Sequence, residues 1–216
     1  MSGFVAVVDY GIGNLLSVRR ALERCGAGVQ VTGDPALIAQ ASHLVLPGVG
    51  AFADGMLGLS ERGLVEPLQA FARGGRPFLG ICLGMQLMFD SSTEHGELPG
   101  LGLVPGRVVA IPAADSGGAR RKIPHIGWGY LRLPRSRGDW QGSMLASLEP
   151  DRRSVYFVHS FHALPASPED LLAVCDYAGC DVTAAFARGN LCGCQFHPEK
   201  SGETGLAVLS EFLSLQ

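Results

Sequence analysis

The chain has 216 residues, of which 47% are hydrophobic and 17% are charged, and its net charge is −3. This length and apolar content predict a single domain over residues 1–216, because a chain of this size buries about 70% of its unfolded surface. The composition argues against disorder, and the charge argues against non-specific nucleic-acid binding. The sequence shows neither a secretory signal nor an apolar run long enough to cross a bilayer, so we expect a cytoplasmic protein without membrane partners.

Strands and helices alternate in the first half of the chain, which predicts an α/β fold with a mostly parallel sheet. The predicted strands are Phe4–Val8, Gly28–Thr32, His43–Pro47 and Pro77–Ile81. The predicted helices are Leu15–Cys25, Pro35–Gln40, Met56–Ala72 and Leu83–Phe89. Gly11 and Gly13 suggest a dinucleotide site, but the third glycine position of that motif holds Leu16, which argues against one.

Two glycines follow the third predicted strand, in Pro47-Gly-Val-Gly-Ala-Phe52. They allow backbone N–H groups to point into a cleft at the carboxyl ends of the strands, where open α/β sheets bind ligands. An ordinary strand-to-helix turn is the alternative for this stretch alone.

The second half of the chain indicates a more antiparallel, loop-rich portion. Its predicted strands are Val104–Ile111, Leu131–Leu133, Ser154–His162, Leu171–Tyr177, Thr183–Arg188 and Leu191–His197, and a helix follows over Glu203–Leu213. The polar stretches 91–102 and 113–122 are predicted to be loops. Glu94, in the first of them, is either a solvated charge or a carboxylate that faces a cleft.

Gly80-Ile-Cys82-Leu-Gly84 is typical of a nucleophile elbow, a buried strand that breaks sharply into a helix. The glycines let the neighbouring strand and helix approach, and the helix N-terminus stabilises a thiolate and an oxyanion. A buried structural cysteine is the competing interpretation.

His197-Pro-Glu199 follows the last predicted strand. In an extended backbone, residues two apart lie on one face, so Glu199 is expected to accept the imidazole N–H and leave the other nitrogen basic towards a thiol. A surface histidine is the alternative for this tripeptide alone.

Four of the six cysteines, Cys175, Cys180, Cys192 and Cys194, raise the question of a metal. Their spacing matches neither paired Cys-x-x-Cys units nor a Cys/His finger. Buried, reduced thiols on adjacent strands are therefore the default, with structural zinc as the minor alternative. No metal and no cofactor are predicted.

The elbow and Gln195-Phe-His197-Pro-Glu199 together make a Cys-His-Glu set in chain order, and they resemble the class I, triad-type glutamine amidotransferases. Further stretches resemble the glutaminase subunits of imidazole glycerol phosphate synthase: 9–14, 47–52, 123–128, 156–160 and 197–201. The resemblance spans nearly the whole chain. It implies the three-layer α/β fold of that class, with a mostly parallel central sheet flanked by helices and a smaller antiparallel portion.

The resemblance also implies roles for individual residues. Cys82 attacks the glutamine amide, His197 transfers protons and Glu199 orients His197. The backbone N–H of Leu83 is one oxyanion donor, and that of Val49, beside Gly50, becomes the second after a peptide reorients. Gln86 and Glu94 contact the bound glutamine, with Glu94 on its α-ammonium group.

Ammonia released by such a glutaminase needs a shielded route to its acceptor, so a partner is expected. The family's partner is a (β/α)8-barrel cyclase, which forms a heterodimer with the glutaminase and makes imidazole glycerol phosphate and AICAR in histidine biosynthesis. The resemblance assigns Trp128, Tyr156 and Lys200 to that interface. Gly129 and Phe161 depart from the family's usual asparagine and tyrosine.

Two other hypotheses stay open from the sequence. The chain is alternatively a related class I glutaminase that supplies another synthase, or a non-catalytic interaction or metal-binding module built on this fold.

Overall fold

The computed structural model describes residues 3–114 and 117–216. Residues 115 and 116 of the predicted loop 113–122 lie outside that part of the chain. The helices are α1 (Leu15–Arg24), α2 (Pro35–Gln40), α3 (Phe52–Glu61), α4 (Val65–Arg73), α5 (Leu83–Leu87) and α6 (Gly202–Ser214), and short 3₁₀ turns cover Pro168–Asp170 and Pro198–Lys200. None of the described helices is both long and apolar enough to cross a membrane.

Thirteen strands lie in the described ranges. They are β1 (Val5–Val8), β2 (Val29–Thr32), β3 (His43–Gly48), β4 (Phe78–Cys82), β5 (Phe89–Ser92), β6 (Leu98–Pro99), β7 (Val104–Ala110), β8 (His125–Tyr130), β9 (Ser154–His159), β10 (Phe161–Pro165), β11 (Leu171–Tyr177), β12 (Cys180–Arg188) and β13 (Leu191–Cys194).

Seven strands form the central sheet, in the order β11-β12-β13-β4-β3-β1-β2. The five strands from β13 to β2 pair in parallel, while β11 and β12 add an antiparallel edge. A second sheet has the order β10-β7-β5-β6, and β8 pairs with β9 as an antiparallel ribbon. The predicted mostly parallel sheet with a smaller antiparallel portion is confirmed.

Alternate side chains of the central strands enter two separate cores. In β1, Val5 and Val7 belong to the core that is covered by α1 and α6, whereas Ala6 and Val8 belong to the core under α2, α3 and α4. Strands that are apolar on both sides are expected where helices cover both faces of a sheet. The result is three layers, as predicted.

The predicted helix over Met56–Ala72 is wrong, because the chain forms α3 and α4 with a break between them. Gly63 sits in the break with φ +63, a left-handed conformation that ends a helix. The predicted helix Leu83–Phe89 is also too long, since α5 ends at Leu87 and Phe89 begins β5.

Two strand predictions and one loop prediction in this portion of the chain are corrected. The predicted strand Ser154–His162 is two strands in different sheets, because β9 pairs with β8 while β10 pairs with β7. Leu131–Leu133 is not a strand; the strand here is β8, and Arg132 makes one isolated bridge to Val174. The stretch 91–102, predicted as loop, contributes Ser91 and Ser92 to β5 and all of β6, because these residues pair across to β7 and to each other.

Candidate active site

The carboxyl ends of β3, β4 and β13 meet at a cleft of about 280 Å³. Gly48 pairs with Cys82, and Cys194 pairs with Ile81, so the three strands end side by side at the cleft. The cleft is lined by Val49, Gly50, Cys82, Leu83, Gln86, Glu94, Pro124, Val158, His159, Ser160, Phe161 and His197. The sheet topology therefore gathers residues that lie far apart in the sequence.

Cys82 occupies the sharp break between β4 and α5, with φ 54 and ψ −111. A residue other than glycine rarely adopts this backbone, and such strain concentrates at functional sites. A Cβ on Gly84 would lie 1.8 Å from the Leu46 carbonyl oxygen, and one on Gly80 would lie 2.6 Å from Cα of Met85. Both flanking glycines are thus required by close backbone approach, as the elbow pattern predicts.

Gly84→Ala is expected to lower the free energy of unfolding by about 3 kcal/mol or more, because the added methyl meets backbone that has no room to move. Gly138→Ala is the matched control, since a Cβ at Gly138 meets nothing within 4 Å. Urea unfolding of both variants measures the effect. Equal midpoints for Gly84→Ala and the wild type would contradict this account of the elbow.

His197 and Glu199 form a buried pair beside Cys82. The imidazole Nδ1 lies 2.8 Å from Oε1 of Glu199, and their side chains are 3% and 1% exposed. The pair is formed across the 3₁₀ turn Pro198–Lys200, because β13 already ends at Cys194; the predicted strand to His197 and its extended-backbone geometry are corrected accordingly. Among the described residues, Nε2 of His197 has no hydrogen-bond partner, and neither has Oε2 of Glu199.

The environment of His197 favours the imidazolium. Burial lowers its pKa, but Cys82 and then Glu199 more than compensate and raise the pKa to about 9. At pH 7 the proton is therefore on His197. An imidazolium can supply a proton to a leaving group without first collecting one.

Three other buried histidines stay neutral. Burial lowers the pKa of His125 to about 4, that of His159 to about 3 and that of His162 to about 4. His159 lines the cleft, and its Nε2 lies 3.1 Å from Nδ1 of His125. The positive charge of the site is thereby concentrated on His197.

These neutral histidines predict acid sensitivity. Below about pH 6.5 the unfolded imidazoles bind protons that the folded ones do not, so the free energy of unfolding falls as the pH drops towards 4. At pH 5 the lowered pKa of His159 alone reduces the free energy of unfolding by about 2 kcal/mol. His197 does not offset this loss: with its raised pKa, its contribution is complete below about 6.5 and is lost as the pH rises through about 9.

Urea unfolding at pH 7 and pH 5 tests this prediction. His159→Gln should lose less stability than the wild type between the two pH values, whereas His95→Asn, at an exposed position, should behave as the wild type does. An unchanged midpoint of the wild type at pH 5 would show that the buried histidines are not neutral in the fold.

The remaining predicted cleft residues lie at its walls. Glu94 Oε2 accepts a 2.7 Å hydrogen bond from the Phe52 backbone N–H at the start of α3. Val49 is 40% exposed, and Gly50 has φ +98. Leu83 begins α5 directly after Cys82, so its backbone N–H belongs to the first turn of that helix.

Two contacts near Cys82 and the end of β3 were not predicted from the sequence. Nε2 of Gln195 lies 3.6 Å from the Cys82 sulfur. The Tyr10 hydroxyl donates a 2.8 Å hydrogen bond to the Pro47 carbonyl, and burial, followed by the nearby Cys82, raises the pKa of Tyr10. The position of Gln195, two residues before His197, could have indicated its place beside the nucleophile. No feature of the sequence indicated the contact of Tyr10.

Trp128 and Tyr156 are paired across the β8–β9 ribbon, and Lys200, in the 3₁₀ turn Pro198–Lys200, lies beside Tyr156. The indole and phenol rings are 6.0 Å apart, and Nζ of Lys200 is 6.0 Å from the Tyr156 ring. Trp128 is 59% exposed. A Cβ on Gly129 would lie 2.5 Å from the Cys175 sulfur, so this position faces inwards and an asparagine there would clash.

All six cysteines are free. Across residues 3–114 and 117–216, no group of three or more His, Cys, Asp or Glu side chains is arranged to hold a metal ion. Burial raises the pKa of the Cys175 and Cys192 thiols to about 12, so these two thiols remain protonated at neutral pH.

Comparison with known proteins gives a consistent result. A family model described as glutamine amidotransferase class-I matches residues 6–214. Imidazole glycerol phosphate synthase subunit HisH 1 of Legionella pneumophila (strain Lens) is 50% identical over 211 residues, which cover 98% of this chain and 99% of that protein. Subunit HisH of Lacticaseibacillus casei (strain BL23) is 50% identical over 208 residues, or 96% and 94% of the two chains. The structure of PurLQS from Thermotoga maritima matches with a TM-score of 0.73 at 20% identity, over 99% of this chain and 98% of that one, a likeness of fold.

Proposed function

The chain belongs to the class I glutamine amidotransferases, and we propose that it is the glutaminase subunit of imidazole glycerol phosphate synthase, a single domain over residues 1–216. The observation that carries the chemistry is that Cys82 and His197 line one cleft, while Glu199 accepts from Nδ1 of His197 and Nε2 has no hydrogen-bond partner within the described part of the chain. Identity of 50% over nearly the whole length to curated subunits supports the choice of synthase.

The reaction begins at Cys82. Its sulfur attacks the side-chain amide carbon of glutamine, and the carbonyl electrons move to the oxygen, which the Leu83 N–H and, after a peptide reorients, the Val49 N–H stabilise. Glu94, whose Oε2 also caps α3, attracts the α-ammonium group of glutamine, and Gln86 lines the same wall.

His197 then gives its proton to the departing nitrogen, and ammonia leaves as the thioester forms. Water attacks the thioester, His197 takes a proton from that water, and Cys82 departs as a thiolate with release of glutamate. Glu199 holds the imidazole through Nδ1 in both half-reactions, so that Nε2 always faces the reacting atoms.

Ammonia that escapes into water near neutral pH is protonated and loses its nucleophilicity. We therefore propose a cytoplasmic heterodimer with a (β/α)8-barrel cyclase and a shielded ammonia channel between the two. The cluster of Trp128, Tyr156 and Lys200 supports a docking face on the β8–β9 ribbon, since the exposed Trp128 ring packs against Tyr156 beside a cation, and Trp and Tyr are enriched at the centres of binding surfaces.

Isotope transfer tests this function. The chain, mixed with the barrel cyclase and its phosphorylated ribosyl-formimino carboxamide substrate, is given glutamine labelled with ¹⁵N in its amide and an excess of unlabelled ammonium. The proposal predicts imidazole glycerol phosphate that carries the label. Absence of glutamine-dependent product would contradict the assignment to this synthase, and label diluted into the bulk ammonium would contradict the channel.

A further inference from the structure

A chain of side-chain amides ends at the nucleophile. The Nε2 of Gln86 lies 3.0 Å from the Phe161 carbonyl oxygen and 2.9 Å from Oε1 of Gln195. The Nε2 of Gln195 lies 3.6 Å from the Cys82 sulfur, within the range of a hydrogen bond to sulfur. Gln195 is completely buried and Gln86 is 6% exposed, so water does not compete for these groups.

The direction of every bond in this chain follows from its first member. A backbone carbonyl only accepts, so the Gln86 atom that faces Phe161 is the NH₂ group. The second hydrogen of that NH₂ group points to Gln195, which therefore presents its oxygen. The other end of the Gln195 amide is then an NH₂ group, and it donates to Cys82.

The backbone also holds Gln195 in place. Cys194 pairs with Ile81 in the sheet, and the Gln195 N–H donates a 2.9 Å hydrogen bond to the Ala184 carbonyl. Gln195, the first residue after β13, therefore lies beside Cys82. Both ends of its side chain are bonded, and a donor fixed in this way needs little reorganisation when charge develops on its partner.

We propose that Gln195 is a further catalytic residue, whose amide N–H stabilises the Cys82 thiolate, and that Gln86 is the positioning residue that orients it. This assignment rests on the proposed function in taking Cys82 as the nucleophile. The donor stabilises the thiolate before it attacks the glutamine amide carbon and again when the C–S bond of the thioester breaks and the electron pair returns to sulfur. A hydrogen bond to a charged group contributes more than one between neutral groups.

Alkylation of Cys82 by iodoacetamide tests the proposal on the chain alone, since only the thiolate reacts. The rate is followed between pH 5 and pH 10 by the mass of the peptide that contains Cys82. Gln195→Met removes the donor at nearly constant size, and we expect the pH midpoint of alkylation to rise by about one unit, a roughly tenfold slower reaction on the acid side of the midpoint. Gln195→Glu keeps the shape and should also raise the midpoint, because a second negative charge or a shared proton beside the sulfur opposes the thiolate.

Gln69→Met is the matched control, because the Gln69 amide also donates to a carbonyl, that of Leu101, away from the cleft. Its midpoint should equal that of the wild type. An unchanged midpoint in both Gln195 variants would overturn the proposal. The outcome is separable from that of the proposed function, which is tested by glutamate release from the wild-type chain in complex with the cyclase and its ligand. Shifted midpoints in the Gln195 variants without any such release contradict the glutaminase, whereas unchanged midpoints with normal release contradict the role of Gln195 alone.

Discussion

Cys82→Ala is expected to lower glutamine hydrolysis by about 10⁴-fold or more, because the covalent route through the thioester is lost. Neither the charge on His197 nor the oxyanion donors can replace a missing nucleophile. The substitution keeps the Cβ and removes only one sulfur, so the fold and the association with the cyclase should persist. Glutamate release by the variant in complex with the cyclase and its ligand measures the effect.

Cys192→Ala is the matched control for this experiment. Cys192 is also buried, on the neighbouring strand β13, but its thiol stays protonated because burial raises its pKa to about 12. This variant should keep most of the activity. Turnover of Cys82→Ala within tenfold of the wild-type rate would rule out the thioester mechanism.

Glu199→Gln is expected to lower kcat by about 10²- to 10⁴-fold, the range seen when the orienting acid of a triad becomes an amide. The amide loses the negative charge that, after Cys82, raises the pKa of His197, so this pKa should fall below about 9. The change lowers kcat, because a lower pKa of His197 leaves less imidazolium at neutral pH to protonate the departing ammonia. NMR titration of His197 and kcat measured from pH 6 to pH 10 follow both effects.

Glu203→Gln is the matched control, because it makes the same change from carboxylate to amide four residues after Glu199. Its side chain is 84% exposed and pairs only loosely with Arg24, at 3.5 Å. It should change neither kcat nor the titration of His197. A Glu199→Gln enzyme in which His197 still titrates near 9 would contradict the contribution of Glu199 to the raised pKa.

The sequence predicted best those elements whose signals are local. The helix Pro35–Gln40 has the predicted bounds because Asp34 caps it through the Ala36 N–H and proline occupies its first turn. The predicted helix over Met56–Ala72 failed because both halves are apolar at helical spacing, and only the left-handed Gly63 separates them. Strand β5 was missed because Ser91 and Ser92 are polar and become a strand only by pairing with β7.

In the active site, too, the features that were predicted are local in sequence and those that were missed are not. The elbow around Cys82 and the pair of His197 and Glu199 were predictable because each is built within a few residues, although the pair uses a 3₁₀ turn rather than an extended strand. The contact of Gln195 with the Cys82 sulfur was not predictable, because the orientation of the Gln195 amide is set by Gln86 and Phe161, which lie far away in the sequence. Only the three-dimensional arrangement gives the direction of those amide hydrogen bonds.

The measurement that tests the account most directly is glutamate release from glutamine by the chain alone, with the barrel cyclase, and with the cyclase and its nucleotide ligand. If the Val49 peptide must turn to complete the oxyanion hole, the lone chain should be nearly inactive, the cyclase should raise the rate, and the ligand should raise kcat further and more than it lowers KM. A high rate from the lone chain, unchanged by cyclase and ligand, would contradict a partner-gated glutaminase.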